Sequence, residues 1–243
     1  FGPDGNVMQP YDALAKKHIV AIRGRFRPVT NIFLDMLQKG VRQFENEEDV
    51  DDDKVCILSE LTLRNLEDGT HRINEKDFLD RVDILCSLGQ TVLISNFHEY
   101  FKLVAYLSQF TKLRMALIMG MPNLEYIFDE KHYTEVPGGI ISAFASLFGL
   151  KIKLYLYPTL DEKGQVISLK TFKPETHLRG LMQYLMDNEK LADIKIYDEK
   201  LMSIRTDQVL DQIQKGPGEW ENAVPESVVK QIKENALFGY QNN

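Results

Sequence analysis

The side chains of this chain best suited to chemistry sit together near its start. The apolar run His18–Arg23 leads directly into Gly24-Arg25-Phe26-Arg27-Pro28-Val29-Thr30, and a helix pattern opens at Asn31. A strand, a tight glycine-containing turn and a helix N-terminus together make an anion site: backbone N–H groups point at the ligand and the helix dipole adds positive potential. Gly24 permits close backbone approach, Pro28 stiffens the turn, and Arg25 and Arg27 offer planar cations suited to bidentate phosphate contacts. Chemistry built this way needs no protein nucleophile; it holds a phosphate and places it.

Other candidates are sparser. Ser95 and Asn96 follow a short apolar run and read as ligand contacts or as a helix cap. His98 comes just after them, and the other histidines are His18, His71, His132 and His177. No two are four residues apart, so no metal site is read from them. Glu45–Asp53 is an acidic run without the spacing of a calcium loop, and reads as a solvated connection. Gly138-Gly139 opens a helix or simply turns, and Trp220 is expected to pack over the last helix.

The positioning elements are legible in the hydropathy. Five Val- and Ile-rich runs stand out: His18–Arg23, Lys54–Ser59, Thr91–Ser95, Met115–Met119 and Lys151–Tyr157. Such short apolar runs suit central parallel strands with both faces covered. The fifth alternates, with Ile152, Leu154 and Leu156 opposite Lys151, Lys153 and Tyr155, and is placed nearer an edge. Helix patterns cover Asn31–Phe44, Asn74–Leu88 with Asn74 as N-cap, Glu99–Phe110, Gly139–Phe148, Thr176–Asn188 and Thr206–Lys215, while Asp161–Gln165 reads as a turn. The expected fold is α/β: a Rossmann-like, doubly wound parallel sheet of about five strands, with helices on both faces and a C-terminal helical tail. Ligands of such sheets bind at the carboxyl ends of the strands, near the point where strand order reverses.

Composition narrows the function. The 243 residues suit a single domain, with residues 1–17 as a lead-in and 158–243 as a mostly helical C-terminal part. With 44% hydrophobic and 27% charged residues the chain is globular, not disordered. A net charge of −7 argues against nucleic acid as partner. Val136–Leu150, a long uncharged stretch, is shorter than the ~18–20 residues of a membrane span. Two cysteines, Cys56 and Cys86, cannot build a disulfide framework and suit a reducing, cytoplasmic setting. A chain that opens on Phe1 is expected to be the downstream part of a longer polypeptide, whose N-terminal region would be a partner.

Gly24, Phe26, Pro28 and Thr30 match the first motif of the nucleotidyltransferase superfamily, G-x-F-x-P-x-(T/H)-x-G-H, which this segment resembles. Where that motif ends in Gly-His, this chain has Ile32-Phe33. The family's histidine stabilises charge on the transferred phosphate, which Phe33 cannot do. The tail is similar to that of nicotinate-nucleotide adenylyltransferases: Ile204–Gly216 resembles their I-S-x-T-x-x-R helix, followed by Val224-Pro225-Glu226-Ser227-Val228 and Leu237-Phe238-Gly239. There Thr206 takes a hydroxyl position and Leu210 replaces a phosphate-binding arginine. The whole chain also resembles the C-terminal half of a family of bacterial proteins, variously labelled as that adenylyltransferase or as a TonB-dependent receptor. An outer-membrane barrel needs many alternating strands, which this chain lacks.

The resemblance implies a nucleotide-binding domain that takes ATP with Mg2+, and a mononucleotide or other phosphorylated small molecule as partner. The implied binding residues are Gly24, Arg25, Phe26, Arg27, Pro28, Thr30, Ser95 and Thr206. Arg23, Arg25 or Arg27 would compensate for the missing groups. The alternative is a non-catalytic sensing or assembly domain. Ile57–Leu63 and Leu93–Asn96 also resemble the first two motifs of haloacid-dehalogenase-like phosphatases, but Ser59 and Leu61 stand where the carboxylates belong, so that chemistry is lost. Self-association into a homo-oligomer stays open.

Overall fold

The computed structural model describes residues 1–62 and 75–241. Asn74, His71 and Leu63 lie outside the described residues. Six parallel strands form one sheet: β1 (His18–Arg23), β2 (Val55–Thr62), β3 (Thr91–Ser95), β4 (Met115–Gly120), β5 (Ile152–Tyr157) and, past a small hairpin of β6 (Thr159–Leu160) and β7 (Val166–Ile167), β8 (Leu191–Asp193). Their order is β3-β2-β1-β4-β5-β8. The chain builds outward from β1 in one direction, returns past β1, and builds outward the other way from β4. This is the Rossmann-like doubly wound arrangement expected, with its switch point between β1 and β4. The sixth strand is only three residues long, too short to show a periodicity. The turn expected at Asp161–Gln165 is the hairpin tip, held by the Asp161 carboxylate accepting from the Lys163 and Gln165 amides.

The helices are α1 (Pro10–Leu14), α2 (Asn31–Glu45), α3 (Glu75–Ser87), α4 (Tyr100–Leu107), α5 (Met121–Ile127), α6 (Gly139–Phe148), α7 (Arg179–Asp187), α8 (Thr206–Ile213) and α9 (Glu226–Asn235). None of the described helices is long and apolar enough to cross a membrane.

Strand alternation assigns the faces. Ile19 and Ala21 of β1, Leu117 of β4 and Leu154 of β5 join the core under α4, α6 and α7. Their neighbours Val20, Ile22, Ile118, Tyr155 and Tyr157 pack on the other face against Leu37, Val41 and Phe44 of α2. Gly40 permits that approach, because a Cβ there would lie 2.5 Å from the Ile118 side chain. A third core joins Leu61 and Val92 to α3 and the tail, where Val209, Ile213, Trp220, Val228 and Ile232 are buried. Trp220 is fully buried and donates its indole N–H to the Gly216 carbonyl at 2.9 Å, packing on the tail as expected.

The acidic run after α2 is not solvated throughout. Glu47 turns back onto the sheet, where one oxygen accepts from Lys153 Nζ and from the Tyr155 hydroxyl, both at 2.6 Å. Burial alone would raise its pKa; the bonds to Lys153 and Tyr155 and the nearby Arg114 outweigh it and hold the carboxyl below its ordinary value. Because the folded value lies below the unfolded one, the stabilisation is full above the unfolded value and fades as pH falls through the folded one. Glu47→Gln is expected to cost about 1–2 kcal/mol at pH 7. Urea melts of the two proteins should converge as pH drops below about 4.5, the ordinary value for this carboxyl.

Candidate functional site

β1 and β2 pair in register so that Arg23 lies opposite Glu60. Glu60 is fully buried, and a carboxylate there must be paired. Arg23 supplies the fork: Nε to one oxygen at 2.5 Å and Nη2 to the other at 3.0 Å. The Ser95 hydroxyl donates to the same carboxylate and accepts from the Phe97 amide. The remaining arm of Arg23 donates to the His98 carbonyl at 2.7 Å, and its guanidinium lies 4.5 Å from the Tyr100 ring centre. Tyr100 in turn donates to Asn123 of α5 at 2.9 Å. One network thus ties together the carboxyl ends of β1, β2 and β3 and reaches the helix after β4.

The turn begins at the next residue. The Gly24 amide donates to the Glu60 carbonyl at 3.2 Å. Phe26 adopts the left-handed conformation, with φ of 50°, and its ring folds back over Gly24. A Cβ on Gly24 would lie 2.8–3.2 Å from three ring carbons. The glycine is therefore required by the protein's own ring; the space a ligand backbone contact would use is already filled. Phe33 packs edge-on against Phe26 with centroids 4.9 Å apart. The turn is thus an aromatic corner. Phe26, Pro28, Val29 and Thr30 are buried, and Thr30 caps α2 without a side-chain bond.

The arginines face outward to different degrees. Arg27 Nε lies 2.9 Å from Asp77 of α3, and Arg81 binds the other Asp77 oxygen. Arg81 also donates to the Arg25 carbonyl at 3.3 Å. Burial, and then the neighbouring Arg27 and Arg25 charges, lower the Arg81 pKa to about 10. Arg25 is the exposed member, with 68% of its side chain open; its contact is Asp207 of α8 at 3.4 Å, itself 85% open. Such an exposed pair is worth little, so this guanidinium can be redirected. Asn31 donates to the Asn222 carbonyl at 3.0 Å, a second tie from the turn to the tail.

Sequence and structure therefore agree on one juxtaposition. The Gly24–Phe33 segment and the helix opening at Thr206 lie side by side, with Phe26, Val29, Phe33, Val209 and Leu210 in one apolar cluster. Two expected residues are placed otherwise. Ser95 is buried with its hydroxyl engaged by Glu60, and Arg23 is bound to that same carboxylate, so neither offers a free donor. The phosphatase-like reading fares no better: Ser59 and Leu61 are fully buried inside β2. Asp77, Arg81 and Asp207 were not read from the sequence, because they lie on α3 and α8 with no local spacing that points to the turn. Among the described residues, the Nε2 atom of His177 lies 2.5 Å from Glu130, and Glu175 is close by, with all three exposed. Glu130 raises the His177 pKa.

No family model matches the chain, and no curated protein matches it. Among solved structures, the chain is similar to Plasmodium falciparum nicotinic acid mononucleotide adenylyltransferase complexed with APC, at a TM-score of 0.48 and 14% identity, over 93% of this chain and 98% of that one.

Arg23→Ala, which strands Glu60, is expected to lower unfolding free energy by about 3–5 kcal/mol, whereas Arg23→Met with Glu60→Leu recovers most of it. Chemical denaturation of the three proteins checks this. Gly24→Ala should cost about 1–3 kcal/mol through overpacking against Phe26. In a Phe26→Ala background that cost should shrink to near zero, a coupling that a double-mutant cycle reads directly.

Proposed function

We propose that the chain binds a nucleoside phosphate at the Gly24–Thr30 turn, with its phosphates toward Arg25, and that adenylyl transfer of the nicotinate-mononucleotide type is weak or lost. The observation that carries this reading is Arg25: an exposed guanidinium at the carboxyl end of β1, beside the sheet's switch point and the start of α2, whose contact among the described residues is a solvent-exposed one to Asp207 of α8. Doubly wound sheets bind their ligands at that position, and a helix N-terminus with an adjacent cation suits a phosphate. Thr206, first residue of α8, and Arg27 complete the proposed contact set. The two segments that resemble adenylyltransferase motifs come from opposite ends of the chain, and a shared nucleotide cleft would need them adjacent.

The proposed loss of catalysis rests on Phe33 and Leu210. Each replaces a polar group of the motif with a side chain packed into an apolar cluster. Removing one such electrostatic contributor typically costs about 10²–10³ in rate. Mg2+ would enter with the triphosphate and supply charge neutralisation there, and the chain's own part would be to orient the phosphates by the Arg25 and Arg27 guanidinium groups. A domain that bound a nucleotide without those charge-stabilising groups would suit a sensing role.

Thermal melts of the full chain with Mg2+-ATP should show a raised midpoint; at 100 times Kd the gain is about 2.7 kcal/mol. Arg25→Gln should weaken that binding about tenfold, consistent with the ~1.5–3 kcal/mol of a charged hydrogen bond. Pyrophosphate release from ATP plus nicotinate mononucleotide should stay near the uncatalysed level. A melt that no nucleoside phosphate moves would overturn the reading, and rapid pyrophosphate release would overturn its non-catalytic half.

A further inference from the structure

The opposite end of the sheet carries an accumulation of charge that the proposed nucleotide site does not use. The amino ends of β4, β5 and β8, begun by Met115, Ile152 and Leu191, line a cavity of about 820 Å³. Arg114, Lys151, Lys153, Lys190 and Lys195 surround it. An adjoining recess of about 360 Å³ shares Glu47, Lys153 and Lys195 and adds Lys39 and Arg42 from α2. The two together hold seven cationic side chains against three carboxylates, Glu47, Glu48 and Glu189. This lies within a chain whose net charge is −7.

Structural roles account for only part of this charge. Lys153 and Arg114 both draw on Glu47, and Arg114 reaches Asp49 at 3.1 Å. Lys190 donates to the Leu150 carbonyl just past α6. Lys39, Arg42, Lys151 and Lys195 have no carboxylate partner among the described residues. The C-terminal ends of α2, α6 and α7 lie at this end of the sheet, but each contributes only about −0.5 of a charge, less in sum than the excess of three left once Asp49 is counted with the lining carboxylates. The Arg114 Nε is buried and unbonded. Lys190 has its pKa lowered by burial and then by the Arg114 charge, so the cations here press on one another.

We propose that this cavity is a second ligand site, at the amino ends of the strands, for a small multiply phosphorylated anion. Its volume is that of a small-molecule pocket. Its recessed shape favours a compact ligand over a membrane surface. An anion seated between Lys151, Lys195 and Arg114 would offset the unpaired charge. The site stands at the far end of the sheet from Arg25 and does not depend on the nucleotide reading.

Inorganic pyrophosphate titrated calorimetrically into the full chain at low salt is the test. The expected result is saturable binding that Lys151→Gln with Lys195→Gln weakens at least tenfold, with a shallower salt dependence. Both lysines are exposed, so the variant should melt like the parent. In an Arg25→Gln background, which removes the proposed nucleotide contact, saturable binding sensitive to Lys151 and Lys195 should persist, which separates its failure from that of the nucleotide site. The proposal is overturned if pyrophosphate does not bind, or if Arg25→Gln abolishes binding while the double variant keeps it. It is also overturned if Lys163→Gln with Lys215→Gln, exposed lysines outside the cavity, weakens binding equally, or if phosphatidylserine vesicles bind through Lys151 and Lys195 while pyrophosphate does not.

Discussion

Glu60 has no access to water, and its carboxylate is held by Arg23 on the neighbouring strand and Ser95 on the next. An unpaired charge at that depth would be prohibitive, so the register of β1 against β2 and the path of the chain after β3 are fixed together. The consequences run outward. Arg23 also grips the His98 carbonyl, so the segment leading to α4 is drawn to the same point. Gly24 hangs from the Glu60 backbone, and the turn that follows inherits its starting position from this pair. A buried pair of this kind contributes less to net stability than to uniqueness, since apolar residues could fill the same volume without specifying a partner.

From that anchor the turn takes a form that its sequence only partly implies. The residues that match a nucleotide-binding motif are present, yet they satisfy one another: Phe26 covers Gly24, Phe33 braces Phe26, and the tail closes over both. What stays open to solvent is the guanidinium of Arg25 and part of Arg27. The proposed binding without chemistry rests on a corner that keeps its cations and packs Phe33 and Leu210 into hydrocarbon. The sheet therefore presents two positively charged regions of different build: one where the strands end and the dipole of α2 helps, and one where they begin and side chains alone supply the charge.

The strands were legible because each central run is apolar on both faces, as a parallel strand covered by helices on either side must be. Helix α6 was legible to the residue, since Gly138 and Gly149 bracket an apolar stretch. β8 was not, because three residues carry no periodicity. Within the site, Arg25 and Arg27 could be named from local sequence, whereas Asp77, Arg81 and Asp207 could not, since only the tertiary fold brings α3 and α8 to the turn. The reach of Glu47 was hidden for a different reason. A run of acidic residues looks solvated throughout, and nothing local shows that one member folds back onto a lysine and a tyrosine over a hundred positions away. Ser95 illustrates the converse: its place at a strand end was read correctly, and its hydroxyl turned out to serve the protein.

The tail has a bearing on how the chain comes to be folded at all. Phe26 and Val29 near the start share a core with Val228, Ile232, Leu237 and Tyr240 at the end. During synthesis the first half of the sheet must wait, with that aromatic corner uncovered, until the last helices leave the ribosome. Closure over such a separation is slow, and the exposed surface is sticky in the meantime. Nascent chains stalled before α9 should therefore depend on holding chaperones, and a protein clipped there would lose Val228, Ile232, Leu237, Phe238 and Tyr240 from that core.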